Sequence, residues 1–104
     1  MKTSKPDRLV FFKKENCAPC MNVQQQLDEV LDLYPEFRGL AVVMQKENHP
    51  ALVAAFELKQ YPTVLILDAT GNEISRKVGS KFLTKQWWID ALTALEGGSN
   101  EAGV

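Results

Sequence analysis

Cys17 and Cys20 are the only cysteines in the chain, and they stand three apart at the seam between a continuous apolar run and a long helical pattern. Two thiols at that spacing, at the start of a helix that follows a strand, suit reversible dithiol–disulfide chemistry. The same spacing is half of a zinc or iron–sulfur site. Zinc takes four ligands, however, and His49 is the one other soft ligand, far off in sequence. No metal held within one chain and no cofactor is expected; a cluster shared between chains is the variant left open.

The segments around the thiols narrow the fold. Arg8-Leu9-Val10-Phe11-Phe12-Lys13 is a short apolar run between charges, which predicts a strand covered on both faces. Lys14-Glu15-Asn16 turns out of the sheet. Asn16 suits the N-cap of a helix beginning near Cys17, and Pro19 falls in the first turn, where its missing N–H costs little. Cys20, Val23, Leu27, Val30, Leu31 and Tyr34 then recur at helical spacing until Pro35 and Gly39 close the helix. Leu40-Ala41-Val42-Val43-Met44 predicts a second buried strand. Asn48 and Pro50 predict a cap and a first-turn proline for a short helix through Leu52, Val53 and Phe56.

Strand–helix–strand–helix argues for α/β layers with parallel pairing. Tyr61-Pro62 breaks the pattern. Thr63-Val64-Leu65-Ile66-Leu67 and Glu73–Val78, joined by Asp68-Ala69-Thr70-Gly71-Asn72, predict an antiparallel hairpin. Thr84 is placed to cap a last helix whose stripe is Leu83, Trp87, Trp88, Ala91, Leu92 and Leu95, with the two tryptophans as core and rim. The expected architecture is a βαβαββα order with a four-stranded mixed sheet between helices. The domain is expected over 1–95, with a disordered tail over 96–104 that starts Glu96-Gly97-Gly98-Ser99-Asn100.

Three motifs carry a resemblance over almost the whole chain: Cys17-Ala18-Pro19-Cys20 after a strand, Tyr61-Pro62-Thr63 opening a later strand, and Gly71…Val78-Gly79 before a terminal helix. Together they resemble the thioredoxin superfamily. The resemblance implies that Pro62 is a cis-proline set against the disulfide; read alone, Pro62 serves equally as a strand-start proline. It implies that Cys17 is an exposed nucleophile and Cys20 a buried resolving thiol. It also implies that Ala18, Pro19, Tyr61, Pro62 and Gly79 contact the substrate, which lies extended beside Tyr61-Pro62. Met21 either lines that groove or packs.

The chain also departs from the family. About seven residues precede the first strand, so the usual N-terminal strand and helix are expected to be missing. The family's tryptophan before the first cysteine is Asn16 here, and the glycine of its motif is Ala18. The buried acid of its first strand falls at Phe11 and the lysine partner at Val43. Both halves of that ion pair are absent together, as an uncompensated buried charge would require.

Composition excludes other classes. The 104 residues, 45% apolar and 24% charged, make one soluble domain, and a net charge of −1 gives no reason to expect nucleic acid or an anionic membrane. No apolar run approaches bilayer length, and Met1–Pro6 leads into a strand rather than a signal sequence, so a cytoplasmic monomer is expected. The expected activity is reduction of protein disulfides through a mixed disulfide, with disulfide-containing proteins as substrates and a thioredoxin reductase or other electron donor as partner. The alternatives are a protein disulfide oxidase or isomerase, and a non-catalytic binding module acting as an accessory subunit.

Overall fold

A computed structural model describes residues 6–102. Seven elements follow one another: β1 (Arg8–Lys13), α1 (Ala18–Leu33), β2 (Ala41–Gln45), α2 (Pro50–Ala55), β3 (Thr63–Leu67), β4 (Glu73–Val78) and α3 (Lys85–Ala102). Short 3-10 turns lie at Pro35–Phe37, Lys46–Asn48 and Ser80–Phe82. The four strands form one mixed sheet in the order β2-β1-β3-β4. β1 pairs parallel with β2 and antiparallel with β3, which pairs antiparallel with β4.

β1 is central, and its side chains alternate between two cores as a pleated strand requires. Leu9 and Phe11 face α1 and α3, packing with Val23, Leu27, Val30 and Trp88. Val10 and Phe12 face the other side, with Leu58, Leu65 and Leu67 and the half-buried Leu52 and Phe56 around α2. The Phe11 and Trp88 rings meet edge to face with centroids 5.7 Å apart, and Trp87 and Trp88 do so at 5.3 Å. Trp88 is buried and Trp87 half-buried, which matches the expected core and rim.

The hairpin between β3 and β4 is set by one carboxylate. Asp68 Oδ1 accepts from the Thr70 N–H and Asn72 N–H at 2.9 Å each and from the Thr70 hydroxyl at 2.7 Å. Gly71, at φ 89°, supplies the left-handed residue that the turn needs. Thr84 caps α3 as its position suggested, its hydroxyl accepting the Trp87 N–H at 3.1 Å.

Four expectations change. β2 is a half-buried edge strand rather than a buried one, with Val43 37% exposed, because no strand covers its outer side among the described residues. Asn16 does not cap α1; it takes a left-handed conformation (φ 55°), and Cys17 is the cap. Asn48 lies inside a 3-10 turn, which leaves His49 as the N-cap of α2 with no side-chain bond. Finally, α3 runs to Ala102, past the Glu96 boundary expected for the domain, since each further residue adds a backbone hydrogen bond to an existing helix. Residues 103–104 of the expected tail lie outside the described residues.

Arg76 ties β4 to the end of α2. Its guanidinium donates to both Glu73 carboxylate oxygens at 2.6 Å and to the Phe56 carbonyl at 2.8 Å. That fork is the main reason the Glu73 carboxyl titrates below the usual carboxylate range. A depressed native pKa contributes stability above the unfolded value and loses it as pH falls through the folded one. Glu73→Gln is therefore expected to cost ~0.5 kcal/mol at pH 7 and progressively less as the pH drops below 4. Urea denaturation of both proteins at the two pH values checks this; an equal cost at both would refute the linkage.

Candidate active site

The two thiols are joined in a disulfide, with Cα atoms 5.2 Å apart. Lys14-Glu15-Asn16 leads from the end of β1 into α1, and Asn16 makes the sharp bend because asparagine tolerates the left-handed region. Cys17 follows in an extended conformation, and its Sγ accepts the Cys20 N–H at 3.2 Å. A sulfur thus fills the capping position usually held by a hydroxyl or carboxylate oxygen. Pro19 sits in the first turn, where its ring obstructs no helical bond.

Cys17 was expected to be exposed. It is 5% exposed against 1% for Cys20. Capping draws its sulfur in over the first turn and the disulfide holds it there, while Ala18, Pro19 and Met21 take the solvent-facing positions. Met21 is 71% exposed, so it lines the surface and does not pack.

The strand directions gather the remaining candidates at the same end of the sheet. β1 and β2 both end there, β3 begins there opposite Phe12, and β4 returns there. The Tyr61–Pro62 peptide bond is cis. The Pro62 carbonyl accepts the Gly79 N–H at 2.8 Å, which joins those two candidate residues in one loop pair. Gly79, at φ 91°, has the backbone a side chain would strain. Tyr61 is half-buried, and no partner reaches its buried hydroxyl among the described residues. Burial, with the Glu47 carboxylate adding to it, pushes the phenol up from its ordinary value.

Phe11 and Val43 are direct register partners across β1 and β2. Phe11 is fully buried against Trp88, so the position where the family resemblance sets an acid holds an aromatic ring.

One group escaped sequence reasoning. Glu47 accepts from the Gln45 side-chain amide at 2.7 Å and from the Glu15 N–H at 3.3 Å, bracing the turn before Cys17. The Gln45 amide is the main reason its carboxyl titrates low. Next to it, Lys46 Nζ stands 5.7 Å from the centre of the Tyr61 ring. A Lys-Glu pair straight after a strand reads as ordinary surface; only the parallel pairing of β1 with β2 sets it beside the thiols.

A shallow trough of about 790 Å3 runs along the first turns of α1, lined among others by Lys13, Ala18, Met21 and Gln24. Among the described residues no group of three or more His, Cys, Asp and Glu side chains could hold a metal ion, and no helix is long and apolar enough to cross a membrane.

No protein-family model matches the chain. The chain is 30% identical over 74 residues to the SPbeta prophage-derived thioredoxin-like protein YosR of Bacillus subtilis, covering 71% of this chain and 84% of that protein. Its backbone is similar to that of Fasciola hepatica thioredoxin, with a TM-score of 0.66 at 19% identity over 86% of this chain and 81% of that one. It is likewise similar to reduced Schistosoma mansoni thioredoxin, with a TM-score of 0.66 at 16% identity over 86% of this chain and 79% of that one. Identities this low establish likeness of fold.

Proposed function

Since this chain belongs to the thioredoxin-like family and carries the Cys17–Cys20 pair of a thiol–disulfide oxidoreductase, we propose that it reduces protein disulfides. The observation that carries the reading is the Cys17 sulfur at the N-cap of α1 with Cys20 buried one turn on. In the reduced protein, the Cys20 N–H and the positive end of the helix favour a thiolate at Cys17. The thiolate attacks one sulfur of a substrate disulfide, forming a mixed disulfide and expelling the other sulfur as a thiolate. Cys20 loses its proton, attacks Cys17 and releases the second substrate thiolate. Two electrons pass to the substrate, and the Cys17–Cys20 disulfide is the oxidised product.

A thioredoxin reductase or another low-potential donor would restore the dithiol, in a cytoplasmic setting that keeps thiols reduced. The protein would act as a monomer. Likeness to thioredoxins supports the reducing direction, and the absence of any charged residue in the first turn of α1 fits a thiolate that is favoured only mildly. Equilibration with glutathione buffers tests the direction. A potential below about −200 mV is expected, and a value near −120 mV would make the protein an oxidant instead.

Resolution is expected to be slow. Cys20 is 1% exposed, where burial disfavours the charged thiolate, and Phe11 offers no carboxylate to take the proton. The mixed disulfide should therefore accumulate in the wild-type protein, and its lifetime should shorten about tenfold per pH unit below the Cys20 pKa. Rapid acid quench with mass analysis measures it; a lifetime independent of pH would remove deprotonation of Cys20 as the slow step.

A further inference from the structure

The net charge of −1 conceals a strong asymmetry. Among the described residues the ion pairs employ all three arginines and Lys85. Six described lysines remain outside them, and five of these, Lys13, Lys14, Lys46, Lys77 and Lys81, stand at the end of the sheet that carries the dithiol. Only Glu15 and Glu47 offset them in the segments 13–16, 45–48, 60–62 and 77–82. The Lys13 ammonium donates to the neutral Gln24 amide at 2.8 Å in a trough that Asp28 also lines, and Lys46 lies over Tyr61 beside Glu47, so neither is held in an ion pair.

The same end carries exposed apolar side chains. Phe82 is 55% exposed on the 3-10 turn that packs against α1, three residues from Gly79. Lys77 and Lys81 hold their ammonium groups 5.5 and 5.8 Å from the centre of its ring. Met21, the most exposed large apolar residue among the described residues, lies on the first turns of α1. An aromatic ring with two cations beside it, at the end of the sheet that carries the dithiol, matches a particular complement: an aliphatic or aromatic side chain flanked by carboxylates.

We propose that this end of the molecule selects disulfides set in acidic, apolar-containing protein segments, seated on Phe82 with their carboxylates toward Lys77 and Lys81. The proposal rests on the reductase reading and adds a substrate class to it. The excess positive charge would raise the local concentration of such segments and speed their encounter with Cys17, by 10-fold or more at low salt. A nucleic acid would meet the charges but leave Phe82 and Met21 unsatisfied, so the favoured partner is a protein.

The test uses the reduced full chain and three disulfide peptides of one core sequence, flanked by Asp and Leu, by Ser and Leu, or by Lys and Leu. Uncharged bis(2-hydroxyethyl) disulfide serves as the reference substrate. At 10 mM salt the acidic peptide should be reduced about tenfold faster than the serine peptide, and the advantage should vanish at 1 M salt, where the screening length is about 3 Å. The double variant Lys77→Glu/Lys81→Glu should reverse the ranking of acidic and basic peptides, and Phe82→Ser should lower the acidic rate several-fold while leaving its salt dependence. Lys59→Glu, in the hollow with Glu73 and Arg76 and not with Phe82, should retain the wild-type ranking. Equal rates for the three peptides at low salt, with the reference disulfide reduced normally, would overturn the docking proposal and leave the reductase reading standing. Failure to reduce any disulfide, the reference included, would overturn both. Retention of a single-stranded oligonucleotide as tightly as the acidic peptide at 150 mM salt would overturn the choice of a protein partner.

Discussion

Cys20→Ser is expected to arrest the proposed reaction at a covalent adduct, while Cys17→Ser abolishes it. With serine at position 20, Cys17 can still open a substrate disulfide, but no second thiol remains to release the product. Turnover should fall to the rate at which external thiols resolve the adduct, and protein of increased mass should accumulate one-to-one with substrate. With serine at position 17, the only remaining thiol is Cys20, 1% exposed, so neither adduct nor turnover is expected. Non-reducing gels and intact-mass measurement separate the two outcomes. Adduct formation in Cys17→Ser at the rate seen in Cys20→Ser would reverse the assigned roles. Unaltered biological activity in both variants would instead favour a binding module with incidental cysteines.

Phe11→Asp is expected to produce the largest loss of stability. The ring is fully buried and edge to face with Trp88 in the core shared by β1, α1 and α3. Truncating a core phenylalanine costs about 3–5 kcal/mol, and an unpaired carboxylate in the same space adds a desolvation penalty. A domain of ordinary stability has about 5–15 kcal/mol to lose, so the variant should be largely unfolded or should bind a proton at position 11 well above the normal carboxylate range. Val43 lies across from Phe11 in the parallel register and is 37% exposed. Adding Val43→Lys should therefore restore ~1–2 kcal/mol by pairing the buried charge from a position that solvent reaches. Thermal and urea denaturation of the two single variants and the double give the coupling directly. A double variant no more stable than additivity allows would show that the two positions do not form a charge pair. Where the double variant folds, a mixed-disulfide lifetime no shorter than in wild type would remove the missing carboxylate as the cause of slow resolution.

Much of this could be read from residue order alone. The helix after Cys17, the Thr63–Leu67 strand and the hairpin at Asp68–Asn72 were legible because periodicity and turn chemistry are local. The thiol pair and Pro62 were legible because few residue types can serve in their places. The features missed depend on what lies beside a segment in space. The half-exposure of β2 follows from its edge position, which its apolar sequence does not encode. The burial of Cys17 follows from a sulfur acting as a helix cap, where Asn16 is the better capping residue on general preference. The lysine-rich end arises from three separate segments, each ordinary by itself, that the strand directions bring to one end of the sheet.

The cap formed by Cys17 joins covalent chemistry to helix integrity. The Cys17–Cys20 bond holds that sulfur over the Cys20 amide, whereas a sulfur bonded to a substrate keeps its lone pairs but loses that constraint on its direction. Side-chain caps contribute about 1 kcal/mol, so a bound partner would loosen the first turn of α1 by up to a factor of about five. Solvent exchange of the Cys20 amide proton would then be a clock for the proposed cycle, slow in the closed disulfide and faster while a substrate is attached. Fraying of that turn would also free the Cys20 sulfur to swing toward its target, so the helix end that holds the nucleophile would open when the second thiol must act.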